Sequence, residues 1–410
     1  MPHADPNPTF SASDPTHQHL APPSQPTPRT PGPGGQALLV ALVSRVVLSG
    51  IVWFSLRVFD RYPLYPVQLP DSFLPQHPIL DGWARWDAAH YIAIAGGGYG
   101  GDNPSPRGGV GFFPLFPLLM RGAVELTRQQ PTPAALALAG IVIANLCFLL
   151  AVPLLAKFAA GQSTPDAGRN AALLLCVAPL SFFFNAAYSE SLFLLLCVVS
   201  LGAANRGRWW LAAIAAGFAS GTRLVGLALL PALLLLAWRR SASRVERAGI
   251  ALLAPIGAGA YAVYTGWAFG DPLAYFHAQA TWGGWQEHVR FYAELFVRHP
   301  REALGGDPRH LVILLNLGLC IVSLALLPRV WRRVDPGTAL FTTLLVVVQA
   351  TATWVSLGRY LLPSIGIYLV AGALLTQPRW TGWPRDIVVI GSSFLLVWLA
   401  VLFAHGFWVV

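Results

Sequence analysis

Eleven apolar runs, at about 36–58, 134–157, 170–186, 189–204, 210–221, 224–237, 248–268, 311–328, 338–356, 360–376 and 387–409, fill most of the 410-residue chain. In lipid every backbone polar group must be satisfied within the protein, so repeated runs of this kind fold as helices that cross or enter a bilayer. Crossing a hydrocarbon core about 30 Å thick takes about 20 apolar residues, and several of these runs fall short, which predicts tilted or broken helices. Hydrophobic residues make up 55% of the sequence and charged residues 11%, too little polar surface for a soluble globule. The expected fold class is an all-α polytopic membrane protein with about 11 transmembrane segments, several short or broken.

Residues 1–35, rich in Pro, Ser, Thr and Gln, read as a disordered cytoplasmic tail ahead of a membrane domain over 36–410. The tail lacks the basic start and short apolar core of a cleavable signal, so 36–58 reads as a retained first helix. Within the domain, 59–133 is a first outer loop with interfacial helices and 269–310 a second. The densest basic connections, Arg239 to Arg247 and Arg329 to Arg333, set the cytoplasmic side. Counting from them places Asp87, His90, Glu190, Arg223 and Arg359 together on the outer side, provided that the run 112–126, interrupted by Pro114, Pro117, Arg121 and Glu125, does not cross.

The net charge of +9 comes almost wholly from arginine, since Lys157 is the only lysine, and reads as cytoplasmic loops rather than a nucleic-acid surface. Cys147, Cys176, Cys197 and Cys320 sit inside apolar runs without CxxC spacing and read as buried small hydrophobes. HExxH or paired-aspartate spacing is missing, so neither a metal nor another cofactor is expected.

Chemistry concentrates where ionisable residues interrupt apolar sequence, because such groups are costly to keep dehydrated. Asp87 precedes His90 by three residues, so one helical face presents both: a base and a partner for a developing charge, or else interfacial residues beside the anchors Trp83, Trp86 and Tyr91. The knot NAAYSES holds Tyr188 and Glu190, with helix capping by Ser189 as the plain reading and substrate binding as the other. Arg223 and Arg359, each bracketed by apolar runs and the second followed by Tyr360, suit a lipid phosphate. Arg45, inside the first run, could snorkel or pair with a carboxylate and is set aside. His277, His288, Glu287, Trp282 and Trp285 populate the second outer loop, as sugar platforms or as an interfacial belt.

Five pieces in order, RWDAAHYIAIAGGGYG, GFFPLFPLLMR, NAAYSESLF, GTRLVGL and GRYLLP, resemble the PIG-V family of membrane mannosyltransferases and its bacterial relatives. The resemblance implies a GT-C type glycosyltransferase with its site on the extracytoplasmic side. It implies a polyprenyl-phosphate-linked mannose as donor, used without nucleotide sugar or essential metal. By the same likeness Asp87 falls on the catalytic acidic position, and Arg223 and Arg359 on motifs assigned to donor phosphate. The long Pro-rich tail and bacterial-looking composition point to a plasma-membrane enzyme and to an envelope glycolipid, glycan or protein as acceptor. A transporter or flippase, or a noncatalytic partner in envelope assembly, is the alternative; a transporter would show repeated halves, and no convincing internal repeat is visible.

Overall fold

The computed structural model describes residues 32–59, 72–100, 109–280, 290, 293–298, 300–303, 308–352 and 356–409. Most of the expected tail, and Trp282, Trp285, Glu287 and His288 of the second loop, lie outside the described residues. The helices in chain order are α1 Pro33–Val58, α2 Pro78–Asp81, α3 Ala88–Gly97, α4 Leu115–Leu126, α5 Pro133–Gln162, α6 Pro165–Val177, α7 Glu190–Ala204, α8 Trp209–Thr222, α9 Leu229–Arg239, α10 Arg244–Leu253, α11 Ile256–Phe269, α12 Ala274–Ala280, α13 Pro300–Ala303, α14 Pro308–Arg333, α15 Pro336–Ala352, α16 Leu357–Leu361, α17 Ile365–Leu374 and α18 Trp383–Ala404. The tail boundary read at residue 35 moves back, because Pro33 already occupies the first turn of α1, where its missing N–H is of no consequence.

Among the described residues, five helical stretches are long and apolar enough to cross a membrane: Pro33–Val58, Pro133–Gln162, Arg244–Phe269, His310–Arg333 and Trp383–Ala404. Shorter apolar helices, Glu190–Ala204, Leu224–Arg239, Pro336–Thr351 and Ile365–Leu374, account for four more of the eleven expected segments. α4 has 12 residues, about 18 Å at 1.5 Å per residue, too short for a straight crossing. It presents Phe116, Met120 and Val124 to the core and leaves Leu118 and Leu126 exposed, the pattern of a helix lying along an apolar surface.

α5 is the central post, packed by α1, α4, α6 and α7. Its start is set by Thr132, whose hydroxyl accepts the Ala135 amide at 3.2 Å, and by Pro133 in the first turn. The run read as one segment over 170–186 is in fact broken. Pro179 forces Ala178 into an extended conformation (ψ 139°), so α6 stops at Val177 and a short 3₁₀ turn, Ser181–Phe184, follows. Arg45 of α1 takes up the carbonyls this break exposes. Its guanidinium donates to the Cys176 and Ser181 carbonyls at 3.0 and 2.9 Å and to Asn185 Oδ1 at 2.8 Å, while lying 4.5 Å above the Phe148 ring. Neutral acceptors and an aromatic face satisfy it, not a carboxylate. The four cysteines are free and buried, as expected.

Small residues let α8 and α11 touch backbone to backbone. A Cβ on Gly257 would collide with the Gly217 carbonyl and the Gly221 amide. Gly257→Ala is therefore expected to destabilise the protein by about 1–3 kcal/mol, the range for overpacking, whereas Gly259→Ala, which meets open space, should be neutral. Unfolding midpoints of the two variants in one detergent compare them, and equal midpoints would dismiss this contact as a constraint.

Candidate functional site

Four ionisable side chains from four distant stretches meet in one chain of contacts. Asp87 stands at the start of α3, Glu190 at the start of α7, Arg223 just after α8 and Arg359 in α16. Arg359 Nη1 lies 2.8 Å from Asp87 Oδ2, and its Nε lies 3.1 Å from Glu190 Oε1. The same Glu190 oxygen accepts from Arg223 Nη1 at 2.7 Å. Two carboxylates and two guanidiniums thus form a tetrad of zero formal charge.

Accessibility divides the four. Glu190 (1% exposed) and Arg359 (5%) lie inside, while Asp87 (19%) and Arg223 (16%) form the accessible edge. Aromatic rings complete the surroundings. Tyr360 carries both guanidiniums, with Arg223 Cζ 4.7 Å and Arg359 Cζ 4.8 Å from its ring centre. Arg359 also lies 5.3 Å from the Tyr188 ring and 5.4 Å from that of Phe183. Such contacts let a cation persist where water is scarce.

The hydrogen bonding of Arg359 is incomplete despite these short distances. Its buried Nε and Nη1 sit close to carboxylate oxygens without N–H groups directed onto them, and Glu190 Oε2 is buried without a hydrogen-bond partner. Only Nη2 makes an aligned bond, to the Tyr360 hydroxyl at 3.1 Å. The Asp87–Arg359 and Glu190–Arg359 contacts are therefore chiefly Coulombic and leave donor capacity unspent.

Local backbone strain aims the charges. Trp86 has φ +52°, in the left-handed region that a bulky residue seldom occupies, and Ser356, just ahead of α16, has φ +63°. Trp86 is held there by its indole N–H to the Phe407 carbonyl (3.2 Å) and by the Trp408 ring 5.1 Å away. Gly358, in GRYLLP, donates its amide to Asn316 Oδ1 at 3.0 Å across a gap that admits no Cβ, which anchors α16 on α14.

Tyr188 is fully buried, and its hydroxyl is engaged on both sides: it donates to the Arg85 carbonyl (3.0 Å) and accepts from the Asp87 amide (3.1 Å). It thereby fixes the peptide that carries Asp87. Behind it, Arg85 pairs with Asp81 at 2.8 Å, and Asp81 accepts the Phe73 and Leu74 amides. Burial pushes the Asp81 carboxyl up, but the Arg85 guanidinium and the Leu74 and Phe73 amides more than offset it and hold it below the usual carboxylate range. Ser189 does not cap α7, contrary to the plain reading of the knot; its hydroxyl pairs with that of Tyr91 at 2.9 Å.

Of the residues singled out in the sequence, Asp87, Tyr188, Glu190, Arg223, Arg359 and Tyr360 come together. His90 turns onto Phe112, stacked at 4.5 Å and 25°. His277 pairs with Asp271 in the second loop at 2.7 Å. The supporting pair Asp81 and Arg85 and the platform Phe183 were not singled out; the i, i+4 spacing of the pair was the available signal.

Residues 72–240 match the model of the family described as Mannosyltransferase (PIG-V), which bears out the likeness carried by the first four pieces; GRYLLP, with Arg359 and Tyr360, lies beyond the matched residues. "GPI alpha-1,6-mannosyltransferase 2" of Homo sapiens is 36% identical over 171 residues, 40% of this chain and 33% of its own length. Its Mus musculus counterpart is 35% identical over 161 residues, 38% and 32% of the two chains. The chain thus spans about a third of the length of the curated relatives it matches. Among solved structures, ArnT from Cupriavidus metallidurans bound to undecaprenyl phosphate aligns with 91% of this chain and 76% of its own at 13% identity and a TM-score of 0.48. The Archaeoglobus fulgidus oligosaccharyltransferase aligns with 92% and 53% at 13% identity and a TM-score of 0.46. Both likenesses are too loose to carry an argument about the site.

Proposed function

We propose that this integral membrane protein is a GT-C type mannosyltransferase that moves mannose from a polyprenyl-phosphate-linked donor onto a hydroxyl of an envelope glycolipid, glycan or protein. The observation that carries the reading is the accessible Asp87 carboxylate in contact with a guanidinium of a pair held in place by Glu190. A base and two preorganised cations side by side are what displacement of a lipid phosphate by a hydroxyl requires.

In this reading Asp87 accepts the proton of the acceptor hydroxyl as its oxygen attacks the anomeric carbon, with inversion. Arg223 and Arg359 meet the negative charge that grows on the departing phosphate. The Tyr360 ring contacts both guanidiniums, and Tyr188 holds the Asp87 backbone. The reaction runs on the extracytoplasmic face of a bacterial plasma membrane, opposite the densest basic connections, Arg239 to Arg247 and Arg329 to Arg333. With two guanidiniums at the phosphate, the chemistry calls for no metal ion. Among the described residues no three His, Cys, Asp or Glu side chains cluster to hold one.

The test is transfer of labelled mannose from a synthetic polyprenyl-phosphate mannose, with protein in sealed proteoliposomes and acceptor from host membranes reconstituted with it. Label is expected to leave the donor, at a rate unchanged by EDTA. Donor that crosses the bilayer intact would instead favour a carrier, and no consumption of donor would remove the transferase reading.

A further inference from the structure

The tetrad offers the phosphate no unclaimed cation. Arg359 is contacted by Glu190 from within and by Asp87 from the accessible edge, and Arg223 by Glu190. Glu190 is 1% exposed and opens a helix, so it is a fixed counter-ion; Asp87, 19% exposed, is the displaceable one. Its contact with Arg359 lacks a directed hydrogen bond, so an anion with better-placed oxygens can replace it.

We propose that Arg359 is passed from the Asp87 carboxylate to the lipid phosphate during the reaction, so that the pairing seen here holds the base back until donor is bound. This rests on the transferase reading. The charges balance. Donor phosphodiester carries −1 and the tetrad 0. The acceptor O–H gives its proton to Asp87, its oxygen pair forms the bond to the anomeric carbon, and the bond from that carbon to phosphate oxygen breaks with its electron pair on oxygen. The lipid phosphate leaves as −2 while the protonated Asp87 leaves the tetrad at +1, so the sum stays at −1. Neutralising Asp87 is thus the event that leaves the accessible side of Arg359 to the phosphate at the moment its second charge appears, Glu190 remaining behind it.

The consequence runs against ordinary loss-of-function logic: removing the charge of Asp87 strengthens product binding. Affinity for a sugar-free polyprenyl phosphate is measured on detergent-purified protein, with polyprenol as the uncharged control. Asp87→Asn is expected to bind the phosphate roughly tenfold more tightly than wild type, at the low end of couplings for close charge pairs. Asp87→Glu, which keeps the charge, is expected to bind as wild type does. Asp87→Ala reads the same gain should the amide variant not fold. Equal or weaker binding in the uncharged variants overturns the exchange. Wild type that does not distinguish polyprenyl phosphate from polyprenol overturns the transferase reading itself, so the two failures are separable.

Discussion

Asp87→Asn is expected to lower mannose transfer by roughly 10²- to 10⁴-fold, the contribution of a positioned general base, while leaving the thermal unfolding transition in detergent close to wild type. The substitution keeps the shape of the side chain. Arg359 retains Glu190, Tyr360, Tyr188 and Phe183 around it, so no buried charge is stranded. The Asp87 backbone stays bound to the Tyr188 hydroxyl. Donor-turnover rates and unfolding curves on the same preparation separate chemistry from folding. Near-normal turnover would take Asp87 out of the mechanism.

Glu190→Ala is expected to do the reverse, acting first on stability. Among the described residues, Glu190 is the one carboxylate that touches both guanidiniums, and it is essentially inaccessible. Without it Arg223 keeps only the Tyr360 face among the contacts described, and two like charges share that ring. Breaking a buried ion pair by removing one partner costs about 3–5 kcal/mol; Arg223, at 16% exposure, argues for the lower end. Reduced yield of folded protein and a lower unfolding midpoint are the readouts. An unfolding curve that overlays the wild type would show that Glu190 is not the counter-ion holding the pair.

The sequence made Glu190, Arg223 and Arg359 legible because each stands between or within apolar runs, where an ionisable side chain has few uses, and Asp87 because it pairs by spacing with His90 in the first outer loop. Who touches whom was not legible. Glu190 and Arg223 are 33 residues apart, and Arg359 reaches Asp87 and Glu190 from the far end of the chain, so no periodicity links them. Tyr188 read as a substrate contact or part of a turn, yet its hydroxyl is wholly engaged by backbone; carbonyl and amide partners leave no trace in a residue pattern. The same holds for Arg45, set aside in the sequence, whose partners are two carbonyls, a neutral amide and the Ser44 and Ser181 hydroxyls. Helix boundaries failed where proline acts: apolarity ran on through 170–186, but Pro179 ended the helix. The apolar helices, long and short, were readable from hydropathy, whereas the short polar-loop helices α2 and α12 were not, since their few residues are held by packing.

The grip of Arg45 on the Cys176–Asn185 break also bears on how the protein is made. α1 emerges from the ribosome well before α6, with a cation near its middle, and its acceptors are synthesised more than a hundred residues later. An arginine stranded at mid-bilayer costs about 2.5–3.5 kcal/mol on insertion scales, so the nascent helix has reason to stay beside the translocon until α6 arrives. A helix made early would then settle in lipid only once a much later one has arrived.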